Sequence, residues 1–190
     1  AASDVYKRQM VTGVPFTFIE GSTLFTGDFS SFLRPFPINV GIMGITIFAI
    51  HGGIFLLLKT EGALCERVKK AIPYYMIAYL ITYFISSITM EIDVHEMYER
   101  YDDHYTFYIF PVLVLVFTYL SYEAMRRGRD GWAFVHSGLN IITLFGLATI
   151  GFFPNMVRST TGPEHTITLY NSGSSSTTLI LLLIVVAVGL

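Results

Sequence analysis

The side chains best suited to chemistry in this sequence are two histidines that lie within long apolar segments. His51 stands in the run Ile47–Gly53 and His136 in the run Trp132–Asn140. An imidazole can bond neighbouring helices, carry a proton or ligate a metal or haem, so three roles are open for each histidine. Neither has a Cys, Met or carboxylate one turn away, or a second histidine at a ligand spacing. The pattern therefore favours a hydrogen bond between helices.

Glycines accompany both histidines. Gly44 precedes His51 by seven residues, which places the two on one face of a helix, and Gly41 and Gly52 nearly continue that stripe. Small residues let membrane helices approach closely. The stripe predicts that His51 faces another helix instead of lipid.

No other constellation in the sequence indicates a catalytic, cofactor-binding or metal-binding site. His95 and His104 flank an acidic loop that could hold a divalent cation, but no ligand spacing is present and a solvated loop is favoured. The pair Gly52-Gly53 has no Lys at the spacing of a phosphate loop. Aromatic residues at predicted helix ends indicate an interfacial belt more than a ring-binding site: Tyr74, Tyr75, Tyr98, Tyr101, Tyr105, Tyr108 and Trp132.

The composition is that of a membrane protein. Hydrophobic residues make up 53% of the 190 residues and charged residues 14%, against roughly a quarter charged in soluble domains, and the mean hydropathy is +0.57. A net charge of -2 excludes the dense basic surface that nucleic-acid binding needs. The single cysteine, Cys65, excludes an internal disulfide and a thiolate metal cluster.

The elements that must position the histidines are transmembrane helices, since a bilayer core of about 30 Å takes about 20 apolar helical residues. We predict an all-α bundle with complete spans at about 37–58, 72–90, 105–122 and 132–153, and a fifth, 174–190, that is incomplete at Leu190. Pro73 is expected in the first turn of the second span. Pro111 is expected to kink the third span near Ile109, and the serines and threonines of 172–178 to cap the fifth.

Loop charges predict the orientation, because positively charged loops stay in the cytoplasm. Seven of the twelve Lys and Arg residues fall in loops 59–71 and 122–131: Lys59, Arg67, Lys69, Lys70, Arg126, Arg127 and Arg129. Loop 91–104 is acidic, with Glu91, Asp93, Glu96, Glu99, Asp102 and Asp103, and loop 154–173 has only Arg158 as a basic residue. We expect the first two loops inside and the last two outside.

Four stretches of sequence resemble one known family. They are Thr12–Phe16 through Phe25–Phe29 and Leu33–Phe36, His51–Gly53 with Leu58–Gly62, Trp132–Phe134 with Phe152–Met156, and Thr166–Asn171 with Ser174–Leu179. Together, over Val11 to Leu190, they are similar to subunit II of the cytochrome bd-type quinol oxidases, with Arg34 where that family has Asn.

The resemblance implies an accessory subunit in a bacterial or archaeal cytoplasmic membrane. Its partner, subunit I, would carry the b- and d-type haems and the quinol site, and a structural quinone is an open possibility for this chain. The family's N-terminal motif has no match, so the chain resembles the C-terminal half and no functional residue is carried over. Residues 1–10 are taken as a non-native scar or an unmatched leader, 11–36 as an outer loop and 37–190 as the bundle. The alternative from residues alone is a fragment of a small transporter or channel.

Overall fold

Helices dominate the computed structural model, which describes residues 16–19, 22–25, 33, 35–93, 105–157, 159, 165–173 and 175–189. The helices are α1 (Pro35–Lys59), α2 (Ala63–Asp93), a 3₁₀ helix (Tyr105–Tyr108), α3 (Ile109–Arg126), α4 (Asp130–Phe152) and α5 (Ser176–Gly189). Among the described residues, four helical segments are long and apolar enough to cross a membrane: Pro35–Lys59, Ala63–Met90, Tyr105–Arg126 and Asp130–Phe152. The predicted fold class, a multispan helical bundle, is confirmed.

Helix α2 begins well before the apolar segment that predicted it. It starts at Ala63 instead of Ile72, so Pro73 lies inside the helix and the first-turn assignment was wrong. Residues 64–70 are mostly good helix formers although they are too charged for lipid, and Cys65 and Val68 pack against the bundle core. Hydropathy marked the part of the helix suited to the bilayer and missed its polar first turns.

Pro111 occupies the position that was expected for Pro73. It is the third residue of α3, and the 3₁₀ helix changes to α-helix at Ile109; the kink expected there stays a prediction. A proline in the first turn leaves no intrahelical hydrogen bond of the α-helix interior broken. The Tyr83 hydroxyl of α2 donates to the Pro111 carbonyl at 3.2 Å, which anchors this end of α3.

The turn from α3 to α4 is closed by a glycine. Gly128 has φ +69°, and the Gly128 and Arg129 amides donate to the carbonyls of Met125 and Ala124 at 3.1 and 2.9 Å. This is a Schellman motif, in which a left-handed residue satisfies the last carbonyls of the helix. It reverses the chain within three residues and brings α4 back along α3.

The core of the α1–α4 bundle mixes apolar and polar side chains. Its buried apolar residues come from all four helices: Met43, Ile47, Ile50, Ile54, Leu57, Ile72, Met76, Tyr79, Tyr83, Val114, Ala124, Met125 and Ala133. Hydroxyl and amide side chains are buried among the same helices, and many large apolar side chains of the helices are exposed. Polar groups inside and apolar groups outside suit a bundle surrounded by lipid.

A second compact unit contains residues 13–27 and 152–190. Strand β1 (Phe16–Ile19) pairs antiparallel with β2 (Ser22–Phe25), and β3 (Asn155–Val157) with β4 (Ile167–Thr168). Ser175 caps α5: its Oγ accepts from the Thr178 amide at 3.4 Å, so the predicted cap is confirmed at this residue. Helix α5 has 14 residues.

Candidate functional site

His51 joins α1 to α4 through its imidazole. Its Nδ1 lies 2.8 Å from Ser137 Oγ, and the ring stacks on Phe134 with centroids 4.4 Å apart. Its Cε1 is 3.7 Å from the place that a β-carbon on Gly138 would occupy. Phe134, Ser137 and Gly138 share one face of α4 because they are three and four residues apart. The predicted interhelical hydrogen bond of His51 is confirmed.

The hydrogen bonds of Ser137 assign the tautomer of His51. Ser137 Oγ also lies 2.8 Å from the Phe134 carbonyl oxygen. Two oxygens at this distance repel unless a proton lies between them, and a hydroxyl has one proton, so Ser137 donates to the carbonyl. Its Oγ therefore accepts from His51 Nδ1–H, and His51 Nε2 is left as a bare acceptor.

Asn140 connects three helices at the centre of the bundle. The Tyr79 hydroxyl of α2 donates to Asn140 Oδ1 at 3.2 Å, and Asn140 Nδ2 donates to Thr118 Oγ1 of α3 at 2.7 Å. The Thr118 hydroxyl donates in turn to the Val114 carbonyl at 2.7 Å. Tyr79 and Asn140 are 0% and 1% exposed. A fully buried network of this kind fixes which helix faces meet, because each unpaired polar group would be costly.

Two more polar contacts fasten neighbouring helices. Asn39 Nδ2 of α1 donates to the Thr82 carbonyl at 2.8 Å and to Ser86 Oγ at 2.6 Å on α2. Ser121 of α3 donates to the Ala133 carbonyl of α4 at 3.1 Å. Each joins helices adjacent in sequence, whereas His51 and Tyr79 reach across the chain to α4.

The centre of the bundle is packed and not hollow. Its lining residues leave no room for a water molecule: Ile47, Ile50, Met76, Tyr79, Thr118, Ser121, Ser137 and Asn140. A porphyrin therefore does not fit among them. Within the described residues, no group of three or more His, Cys, Asp and Glu could hold a metal ion. The acidic loop flanked by His95 and His104, for which a solvated loop was favoured over a cation site, lies outside the described residues.

Among the described residues, His136 has no partner for the interhelical hydrogen bond that was predicted for it. Its ring turns back along α4 and stacks on Trp132, with centroids 5.9 Å apart. Its buried Nδ1 has no hydrogen-bond partner among the described residues. Ser137, one position along, takes the place facing α1, because consecutive helical residues point about 100° apart.

Within the described chain, the glycines of the predicted stripe do not make the close helix approach that their spacing suggested, although His51 on the same stripe contacts α4. A β-carbon built on Gly41, Gly44 or Gly52 meets nothing within 4 Å in the described chain. Gly53 makes the close approach instead, where a β-carbon would lie 3.2 Å from Ile72 Cγ1 of α2. Spacing identified glycines on one face but could not tell which face meets a neighbour within this chain.

Sequence reasoning missed Tyr79 and Thr118. Their signal was present, since Tyr79 and Tyr83 are one turn apart in an apolar segment and a tyrosine hydroxyl away from water needs a partner. Asn140 was noticed only as a polar neighbour of His136. The sequence could not show that Tyr79, Thr118 and Asn140 bond to one another, because these side chains meet only after three helices have packed.

Comparison with known proteins places the sequence in one family. The family model described as cytochrome bd terminal oxidase subunit II matches residues 6–190. Similar proteins include a probable cytochrome oxidase subunit 2 of Haemophilus influenzae, 25% identical, and cytochrome bd-I ubiquinol oxidase subunit 2 of Escherichia coli K12, 23% identical. Each alignment covers 87% of this chain and 51% of the relative.

A third similar protein is the Bacillus subtilis cytochrome bd ubiquinol oxidase subunit 2, 23% identical over 76% of this chain and 42% of the relative. The chain thus spans about half the length of the relatives it matches.

Proposed function

The chain belongs to the cytochrome bd terminal oxidase subunit II family, and from this premise we propose that it is part of an accessory membrane subunit of a quinol:oxygen oxidoreductase. In the proposal it packs against the haem-bearing subunit I and supports it in an aerobic respiratory chain. The observation that carries the proposal is the family match over residues 6–190.

The interior of the bundle supports a structural role. Two groups of buried polar side chains bond between helices, Tyr79–Asn140–Thr118 and His51–Ser137, whereas His136 Nδ1 and Asp130 Oδ1 have no partner among the described residues. The side chains at the centre leave no water-sized space, so no feature of the described bundle favours the transporter or channel alternative. Each donor in these two contacts is paired with an acceptor on another helix or on the backbone, as a structural role requires.

The haems and the quinol chemistry are proposed to reside in the partner subunit. The packed bundle centre does not fit a porphyrin, so no haem step is assigned to this chain. A quinone bound by this chain would have to lie outside that centre.

We place the chain in a bacterial cytoplasmic membrane with segments 59–71 and 122–131, each a turn with the adjoining helix ends, inside and segments 91–104 and 154–173 outside. The exposed basic residues around the α1–α2 and α3–α4 turns support this orientation: Lys59, Arg67, Lys69, Lys70, Arg126, Arg127 and Arg129. The short α1–α2 and α3–α4 turns lie at the same end of the bundle, because His51, eight residues before the end of α1, contacts Ser137, seven residues after the start of α4.

The test is co-purification from the native membrane. The full-length protein that contains this chain, carrying an affinity tag, should bring down a second membrane polypeptide with reduced-minus-oxidised absorption bands of b- and d-type haem. A tagged multispan protein of unrelated family, purified from the same membranes, is the control. Recovery of folded full-length protein without haem would reject the oxidase assignment.

A further inference from the structure

His51 keeps one hydrogen-bonding atom unused. Nδ1–H is donated to Ser137 Oγ at 2.8 Å, and Nε2, which the tautomer leaves as an acceptor, has no partner among the residues that the structure describes. His51 lies eight residues before the end of α1 at Lys59, which is about 12 Å along the helix. At that depth an acceptor without a donor is costly, because lipid chains have no donor and water is scarce.

The surface around His51 has the form of a helix-docking face. Gly44, Phe48, His51 and Phe55 follow one another at spacings of four, three and four residues, which is a seam of one helix face. Phe48 and Phe55 are 56% and 44% exposed. Gly44 is an open notch, since a β-carbon there meets nothing within 4 Å. The Phe134 ring of α4 borders the seam on its inner side, with its centroid 5.9 Å from that of the Phe55 ring.

An open glycine, exposed aromatic rings and an unused acceptor together fit a transmembrane helix that carries an O–H or N–H donor. The glycine admits the backbone of such a helix, and the donor pairs with Nε2. The chain spans about half the length of its relatives, so a full-length family member holds further sequence in the same polypeptide. A covalently linked helix has a high effective concentration at this face, which favours it over a separate chain.

We propose that a transmembrane helix from the remainder of the full-length protein docks on Gly44, Phe48, His51 and Phe55 and donates a hydrogen bond to His51 Nε2. The proposal uses the length of the relatives and not the oxidase activity. It stands or falls independently of haem co-purification.

The test is photo-cross-linking of the full-length protein in its membrane. Phe48 is replaced by p-benzoylphenylalanine, which keeps an aromatic ring at the seam, and cross-linked peptides are identified by mass spectrometry. The expected product joins position 48 to a peptide of the same polypeptide outside these 190 residues. Products with a different polypeptide, a second copy, lipid or quinone as the main partner would overturn the proposal.

A second substitution tests the notch. Gly44→Leu fills the space beside Phe48 and should lower the yield of that intrachain product by about tenfold. Gly131→Leu, at an open position on α4, is the matched control and should leave the yield unchanged. An unchanged yield with Gly44→Leu would show that no helix sits on the seam. If the Gly44→Leu complex keeps its haem, a lower cross-link yield reports on the seam and not on the oxidase assignment.

Discussion

Asn140 bonds to two other helices of the described bundle. Its amide accepts from Tyr79 and donates to Thr118, so one side chain of α4 holds α2 and α3 in register. An amide is suited to this because it has an acceptor and donors on adjacent atoms. Hydrogen bonds between membrane helices contribute about 0.6 kcal/mol on average and at most about 1.7 kcal/mol, while a buried group left unpaired costs about 1–3 kcal/mol.

Substitution of Asn140 should therefore destabilise the bundle through its partners. Asn140→Leu should lower the free energy of unfolding by about 1–3 kcal/mol, measured by mixed-micelle denaturation. Tyr79→Phe should cost less, and the double variant should lose less than the sum of the two, because both remove one shared bond. Thr149→Ala is the control, since the Thr149 hydroxyl is exposed and bonds only within α4. Additive losses would contradict the shared bond.

The tautomer of His51 gives a second prediction for a single residue. Nitrogen NMR of the ¹⁵N-labelled ring should show the proton on Nδ1, because Ser137 Oγ is already the donor to the Phe134 carbonyl. In Ser137→Ala the acceptor is lost, so the Nδ1 signal should move towards that of a ring with its proton on the other nitrogen or exchanging between the two. His136, which has no bond to Ser137, is the internal reference. A wild-type ring protonated on Nε2 would contradict the assignment.

At the scale of the element, the glycines of α1 differ in whether a neighbouring helix packs against them. Gly53 lets α1 approach α2, where Ile72 Cγ1 would lie 3.2 Å from an added β-carbon. Gly41, Gly44 and Gly52 are open within this chain. All four residues are glycine, so the difference between them comes from the side chains that pack against each position.

A larger side chain at Gly53 should force α1 and α2 apart. We expect Gly53→Leu to lower the free energy of unfolding by about 1–3 kcal/mol, since overpacking displaces Ile72 and the helix backbone. Gly131→Leu, which meets nothing within 4 Å, should be neutral or slightly stabilising because glycine is a poor helix former. Mixed-micelle denaturation of both variants gives the two free energies of unfolding to be compared. Equal effects at the two positions would argue against the close α1–α2 contact.

At the scale of the whole molecule, the α1–α4 bundle differs from a water-soluble bundle in having an apolar exposed surface and several polar side chains in its core. Thr118, Ser121, Ser137 and Asn140 are buried, while Ile45, Phe48, Ile77 and Ile142 are more than half exposed. In lipid, an exposed apolar side chain carries no free-energy penalty. Hydrogen bonds between buried polar side chains then determine which helix faces pack together.

The proposed orientation can be measured with single cysteines. Cys65 itself is a poor reporter because it packs against the bundle core. In a Cys65→Ser background, Lys69→Cys and Tyr170→Cys both place a thiol on an exposed position. A membrane-impermeant maleimide added to spheroplasts should label position 170 and should reach position 69 only after permeabilisation. The reverse pattern would invert the topology.

The sequence by itself determined that the chain forms apolar helices, how many are long enough to cross a bilayer, which end of each carries the positive charge, and which family the chain resembles. These features depend on local composition, since twenty apolar residues are helical in lipid whatever their neighbours are. It also predicted the bond from His51 to another helix, because a polar group in an apolar segment must find a partner.

Only the tertiary structure decided which partner each polar group finds. In the structure His51 bonds to Ser137, whereas His136 has no bond among the described residues. Gly53, and not Gly44, lies at the close contact between α1 and α2. Helix α2 begins at Ala63, so Pro73 is inside it. The physical reason is that hydropathy and spacing specify a helix and its faces but not its rotation against its neighbours. That rotation is selected by interhelical contacts such as Tyr79–Asn140–Thr118, which exist only after three separate stretches of chain have packed.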